Sequence, residues 1–291
     1  VRIVARGERF VATASEIDLR AACDGDVAAL RDALFRYKVV VVPEQSLSAA
    51  EYRAFVARLG APVPHVLAQF SLPELRDVLV LSNVYDDQGR PTGVHEGGAY
   101  WHADMSYLAA NRVLTALYAL EVPAEGGRTH FADCETGPRD ARLRALLRDI
   151  AVDEAASVRH RFGNRARRRD AAAAFQRLDD DQAAALPEVR HPLLHHHPYA
   201  GTRALYAVAG TAVALGDRSE ADSLPLLDAL EAFALERRAR YEHRYAPGDL
   251  VLWDNLSVLH SGEIIAPAAG PGTRRRLLRM NADYGRGPEV F

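Results

Sequence analysis

The chain has 291 residues, 48% of them hydrophobic and 26% charged, with a formal net charge of -3. This is the composition of a globular protein able to bury a core; it excludes a disordered chain and provides no basic field that would draw nucleic acid. Only two cysteines, Cys23 and Cys134, are present and no apolar run reaches the roughly eighteen residues of a membrane helix, so the sequence predicts a cytoplasmic protein with small-molecule partners and neither a disulfide framework nor a membrane segment.

Along the chain, Val27, Leu30, Leu34 and Tyr37 recur at helical spacing after Asp26 and predict a first helix. Val39 to Val42, four β-branched residues stopped by Pro43, predict a strand. Ser48 and Glu51 form a capping box that opens a second helix, with Tyr52, Phe55, Val56 and Leu59 as its apolar face. Beyond Gly60, short strand patterns take over at Val78 to Leu81, Thr115 to Val122 and Arg128 to Asp133, separated by Gly, Pro, Asn and Asp clusters. Further helices are expected over Asp140 to Asp149 and over Ser219 to Arg240, the latter with Leu226, Leu230 and Phe233 on one side, both packed outside the sheets. Tyr241 to Tyr245, Asp249 to Trp253 and Arg276 to Tyr284 read as closing strands, with Pro247-Gly248 as the turn between the first two.

The chain shows no internal repeat, and it reads as a single domain over residues 1–291, mainly β with flanking helices. The arginines of Arg165 to Arg169 and the alanines of Ala171 to Ala174 lack interleaved aromatics, which favours a solvated face or an active-site lid over a nucleic-acid patch. His195 to His197, bracketed by Pro192 and Pro198, read as a strand of mixed exposure without a metal role.

The chemistry concentrates in Tyr100-Trp101-His102-Ala103-Asp104. On a strand alternate side chains share a face, so an imidazole and a carboxylate one residue apart could reach the same metal ion. Alone, such a triplet is expected by chance in a chain with eleven histidines. A second segment, Pro247 to Asn255, followed by His260 and by Arg274, Arg275, Arg276 and Arg279, supplies what the triplet lacks. Two histidines and one carboxylate on one face of Fe(II) leave three open positions, suited to a bidentate co-substrate and O2. A 2-oxoglutarate bound through its keto acid end needs a forked cation and a hydroxyl for its distal carboxylate, and an arginine with Thr129 provides that pair.

At these residues the chain resembles the superfamily of taurine dioxygenase and 2,4-dichlorophenoxyacetate dioxygenase (TauD/TfdA). Trp101-His102-Ala103-Asp104 matches that superfamily's Trp-His-x-Asp, Gly126-Gly127-Arg128-Thr129 its Gly-Gly-x-Thr, and Trp253-Asp254-Asn255 with His260 its distal histidine segment. The resemblance runs from about Val39 to Tyr284. It implies a double-stranded β-helix, or jelly roll, and dependence on Fe(II), 2-oxoglutarate and O2. It makes His102, Asp104 and His260 the iron ligands and Thr129 with Arg275 the partners of the distal carboxylate, while Arg276 is an additional arginine one residue on. Arg279 matches the arginine that takes the acid group of the primary substrate, and His65 stands where taurine enzymes have a substrate-contacting histidine. Tyr100 and Tyr107 flank the ligand segment and are read either as pocket lining or as core.

The expected activity is therefore oxidative decarboxylation of 2-oxoglutarate to succinate coupled to C-H hydroxylation of a small organic anion, carboxylate or sulfonate. Related halogenases replace the carboxylate ligand by a small residue; Asp104 is intact, which favours hydroxylation. Desaturation is an alternative outcome of the same cofactor chemistry. A hydrolytic zinc site would leave Thr129 and the arginine without a task, and a non-catalytic binding jelly roll would not need all three ligands. The composition allows a homo-oligomer.

Overall fold

The computed structural model describes residues 1–7, 10–95, 98–137, 140–163, 178, 180–236 and 239–285; the arginine and alanine runs at 165–169 and 171–174 lie outside them. The chain opens with β1 (Arg2–Ala5), β2 (Val11–Ser15), α1 (Asp24–Tyr37), β3 (Val39–Val42) and α2 (Ala49–Ala57). Then come β4 (Ala61–Val63), β5 (Ser71–Leu72), β6 (Leu75–Ser82), β7 (Val113–Glu121), β8 (Thr129–Asp133), β9 (Glu135–Thr136) and α3 (Ala141–Asp149). They are followed by β10 (Ser157–His160), α4 (Asp180–Ala184), β11 (Val189–Pro192), β12 (Leu194–His196), β13 (Arg203–Leu205), β14 (Ala212–Leu215) and α5 (Glu220–Glu236). The last strands are β15 (Arg240–His243), β16 (Leu250–Asp254), β17 (Val258–Gly262) and β18 (Arg276–Asp283).

The protein is mainly β with a few helices. Its largest sheet runs β1-β2-β3-β16-β7-β18-β6-β5, with β4 also paired to β18, and the smaller sheet β15-β8-β17 carries the distal histidine. Every pairing in these two sheets is antiparallel except β2 with β3.

Side-chain alternation along the central strands divides the interior in two. Val40, Val42, Leu114, Ala116, Leu250, Leu252, Leu278 and Met280 join one cluster with Leu30 and Leu34 of α1 and Tyr52, Phe55 and Val56 of α2. Their sequence neighbours Val39, Val41, Leu117, Ala119, Val251, Trp253 and Leu277 join another, with Phe131 of β8 and Val258 of β17. One face of the sheet is thus covered by helices, and the other by the small sheet. The helices form where periodicity and capping place them: the Ser48–Glu51 box closes with Ser48 N to Glu51 Oε2 at 2.8 Å and Glu51 N to Ser48 Oγ at 3.2 Å.

Several expectations need correction. Residues 102–104 are not a strand: His102 makes only an isolated antiparallel bridge with His260, and Asp104 begins a turn in which Met105 has φ 56. Strands β1, β2, β10, β11, β13, β14 and β17 have no counterpart in the sequence reading, being short or lacking clean alternation, whereas β12 matches the strand read at His195 to His197, shifted by one residue. In α5 Leu230 and Phe233 are buried as the pattern predicts, while Leu226 is half-buried and Leu227 beside it is fully buried. Tyr37 is only half-buried. Of the three consecutive histidines, His195 is half-buried, His196 exposed and His197 buried with its Nε2 3.3 Å from Asp254 Oδ2.

Candidate active site

Three loop and strand ends converge on Asp104. The His102–His260 bridge is closed at both ends, His102 N to His260 O at 3.0 Å and His260 N to His102 O at 2.9 Å, so the two imidazoles share one face with ring centroids 4.2 Å apart. His102 Nε2 lies 3.2 Å from Asp104 Oδ1 and His260 Nε2 3.5 Å from Asp104 Oδ2. One ligand atom from each residue fits within 4.8 Å of the others, and all three residues are buried.

The tautomers and charges suit a metal ion. His102 Nδ1 is 2.7 Å from the carbonyl of Tyr100, which can only accept, so Nδ1 carries the proton and the Nε2 lone pair faces Asp104. Burial, with the nearby His102, pulls His260 down to about 4 against the pull of Asp104, so it stays neutral at neutral pH. Burial opposes the charge on Asp104, but Arg279, His260 and His102 outweigh it and hold the carboxyl well below its usual range. Two imidazoles and one carboxylate are the donor set of a mononuclear Fe(II) oxygenase, and a neutral His260 with an ionised Asp104 is what ligation requires of those two.

Asp104 is oriented by a network that the motifs only partly announce. Asn255 Oδ1 accepts from Asp104 N at 2.9 Å and from the Trp253 indole N–H at 3.2 Å. Asn255 Nδ2 and Asn281 Nδ2 both donate to Thr115 Oγ1, at 2.8 and 2.7 Å. With its lone pairs so used, Thr115 has one proton to place, and it goes to Asp104 Oδ2 at 2.7 Å. Thr115 and Asn281 escaped the sequence reading. A lone threonine within Val113–Glu121, and an asparagine in step with Arg279, were the available signals.

The candidate 2-oxoglutarate pocket holds Thr129, Trp253, Arg275 and Arg279 beside the ligands. Arg275 is buried, and no carboxylate lies within ion-pair distance of it among the described residues; its Nε has no hydrogen-bond partner. Arg276, one residue on, is exposed. Gly127, with φ 71, leaves room for this side chain, since a Cβ there would sit 3.2 Å from Arg275 Cδ and 3.4 Å from its Nε. Thr129 is buried with its hydroxyl 3.0 Å from Tyr245 Oη, a phenol pushed up to about 12 by burial. An unpaired buried guanidinium beside two hydroxyls fits a small dicarboxylate.

A second cavity, of about 250 Å³, shares His102, Asp104 and Arg279 with the first. His65, Tyr100, Tyr107 and Arg279 all line it, so the structure brings together every residue singled out from the sequence. Arg279 Nη2 is 2.8 Å from Asp104 Oδ1, while its buried Nε has no partner among the described residues. His65 Nδ1 accepts from Leu67 N at 3.1 Å, and burial with the nearby Arg279 lowers its pKa to about 3. It is therefore neutral, with its proton on Nε2. Tyr107 donates to Met105 Sδ at 3.2 Å and packs edge-on against Phe162, serving as both wall and core. Arg275 lies just ahead of β18 and Arg279 within it, four residues on, so strand alternation turns both side chains into the same pocket.

These shifts make the metal-free protein acid-sensitive. The folded pKa of His260 lies below that of a free imidazole, so its contribution to stability is complete above about pH 6.5 and is lost as pH falls through about 4. Denaturant titrations of the metal-free protein should show unfolding free energy dropping by on the order of 2–3 kcal/mol between pH 7.5 and 4. A flat profile over that range would contradict the neutral, buried imidazole.

A model of the taurine catabolism dioxygenase TauD, TfdA family matches residues 5–281. Pentalenolactone F synthase of Streptomyces arenae is 30% identical over 262 residues, covering 85% of this chain and 83% of that protein. The alpha-ketoglutarate-dependent 2,4-dichlorophenoxyacetate dioxygenase of Cupriavidus pinatubonensis (strain JMP 134) is 30% identical over 268 residues, 87% of this chain and 88% of the relative. Among solved structures, AAD-2 in complex with Mn(II) and N-oxalylglycine aligns over 97% of this chain and 96% of its own with a TM-score of 0.75 at 22% identity, a likeness of fold.

Proposed function

Because the chain belongs to the TauD, TfdA family and is a 2-oxoglutarate-dependent dioxygenase, we propose that it hydroxylates a C-H bond of a small organic anion, carboxylate or sulfonate, at a centre held by His102, Asp104 and His260. Bound Fe(II), with O2, supplies the oxidising chemistry while 2-oxoglutarate is converted to succinate. The chain's own contribution is placement. Thr129 and Arg275 take the distal carboxylate of 2-oxoglutarate, and the Thr115–Asn255–Asn281 network keeps Asp104 turned to the metal. The fold is read as a double-stranded β-helix in one domain; in support, the large sheet and the β15-β8-β17 sheet enclose a shared core next to the ligands.

The observation that carries the substrate class is Arg279, whose guanidinium reaches the larger cavity with its Nε–H buried and unpartnered. An acid group there would satisfy that donor, and His65 presents a neutral Nε2–H in the same cavity. Two relatives named for phenoxypropionate and 2,4-dichlorophenoxyacetate agree with an acidic substrate. Substrate-triggered succinate release should be measured across carboxylates, sulfonates and their neutral amides, in wild type and in Arg279→Leu. The acids should be preferred, and Arg279→Leu should raise the KM of the best acid by roughly 30-fold or more, the loss of a charge-assisted pair. Amides working as well as acids, or an unchanged KM, would exclude the anion reading.

A further inference from the structure

Behind the metal ligands lies a segment that belongs to no helix or strand and yet is wholly buried. Residues 206–211, between β13 and β14, include Tyr206, Ala207, Val208, Ala209 and Thr211, none more than 4% exposed. Connecting segments ordinarily run over the surface, and burying one requires partners for its polar groups. This one also contains two left-handed residues, Ala207 at φ 46 and Gly210 at φ 63. For an alanine that conformation is unfavourable, and the surroundings must hold it in place.

Those surroundings are the metal-ligand segment. A Cβ on Gly210 would fall 2.8 Å from His102 Cβ, 3.0 Å from Tyr100 Cε2 and 3.1 Å from the Trp101 carbonyl oxygen, so the backbone of the buried segment rests directly against the backbone carrying His102. One residue on, the Thr211 hydroxyl is 2.6 Å from Ser106 Oγ and 3.0 Å from His160 Nδ1. Ser106 Oγ donates to the carbonyl of Ala103 at 2.9 Å, which commits its one proton. Thr211 must then donate to Ser106, and His160 must donate from Nδ1 to Thr211. The bonds run in one direction, from His160 through Thr211 and Ser106 to Ala103, and they close the turn on which Asp104 sits.

We infer that the buried segment 206–211 sets the positions of His102 and Asp104, with Gly210 and Thr211 as positioning residues for the metal centre. Gly210 fixes how far His102 can retreat, and the Thr211–Ser106 pair fixes the turn that follows it. This rests on the reading of His102, Asp104 and His260 as metal ligands. Thr211 also lines the larger cavity, so the same segment joins the wall of the substrate site to the backing of the metal site.

Co(II) serves as a spectroscopic probe, titrated into metal-free protein while its visible absorption is recorded. Thr211→Val keeps the shape and removes the hydroxyl; it should weaken Co(II) binding about 10- to 100-fold and alter the band pattern, with the melting temperature of the metal-free protein changed by no more than a few degrees. Thr211→Ser, which restores the hydroxyl, should recover affinity to within about threefold and recover the wild-type spectrum. Gly210→Ala should weaken binding by at least as much; should it not fold, the Thr211 pair decides. If Thr211→Val binds Co(II) with wild-type affinity and spectrum, or if Thr211→Ser is as impaired as Thr211→Val, the positioning role is wrong. Should wild type give no Co(II) spectrum that depends on His102, the metal-centre reading fails first, and this inference with it.

Discussion

Replacing Asp104 by alanine should lower 2-oxoglutarate turnover by at least about three orders of magnitude, on the order of 4 kcal/mol in barrier terms, and leave the fold in place. The carboxylate is the sole anion facing the two imidazoles among the described residues, and its loss takes the charge that balances a dication. None of the three hydrophobic clusters includes the Asp104 side chain, so far-ultraviolet circular dichroism should be unchanged. Asp104→Asn is the sharper control, since it retains size and an acceptor for Thr115 but not the charge. It should fall nearly as far in succinate release and in Fe(II) affinity. Turnover within a few-fold of wild type in either variant would remove Asp104 from the ligand set.

The second large effect concerns Arg275. Arg275→Gln should raise the KM for 2-oxoglutarate by roughly 30- to 1,000-fold, the equivalent of about 2–4 kcal/mol for a desolvated, charge-assisted pair. Arg276→Gln should change it less than about twofold, because an exposed guanidinium is screened by water. The charge-transfer band formed on anaerobic addition of Fe(II) and 2-oxoglutarate gives a direct binding curve for all three proteins. If Arg276→Gln carries the larger loss, the distal carboxylate lies one residue away from Arg275.

Much of the site was legible because its chemistry depends on residue types at fixed short spacings. His102 and Asp104 are one residue apart, Gly127 precedes Thr129 by two, and Trp253 precedes Asn255 by two. Buried Arg275 against exposed Arg276 could not be read from four arginines in six residues, because which of two adjacent residues faces inward depends on the register of β18 against β6 and β7, whose partners lie far along the chain. Thr115 and Asn281 were equally hidden: Thr115 is a single small polar residue among the apolar positions of β7, Asn281 stands among charged residues on β18, and the two are partners across more than a hundred residues. The helices α1 and α2 and the strand Val39–Val42 were readable from periodicity and capping, which are local. The strands between Ser157 and Leu215 are only three or four residues long, too short for a period to declare itself. The turn at Asp104 imitates a strand in sequence because alternate extended residues and a bridge followed by a turn can present the same two side chains to one point.

The two-faced central sheet has a consequence for how such a protein can change over generations. On β7, β16 and β18, successive residues answer to different requirements: Leu252 must fit the helices, Trp253 must support Asn255 and His260. Substitutions that reshape the cavity side can accumulate while the helix side continues to hold the molecule together, so substrate range and thermal endurance are separately adjustable along one strand. An inserted residue within those strands would exchange the two roles at every following position. Length variation is therefore expected to collect in connections such as 263–274, where the chain can grow without putting a helix-facing leucine in front of His260 and Asp104.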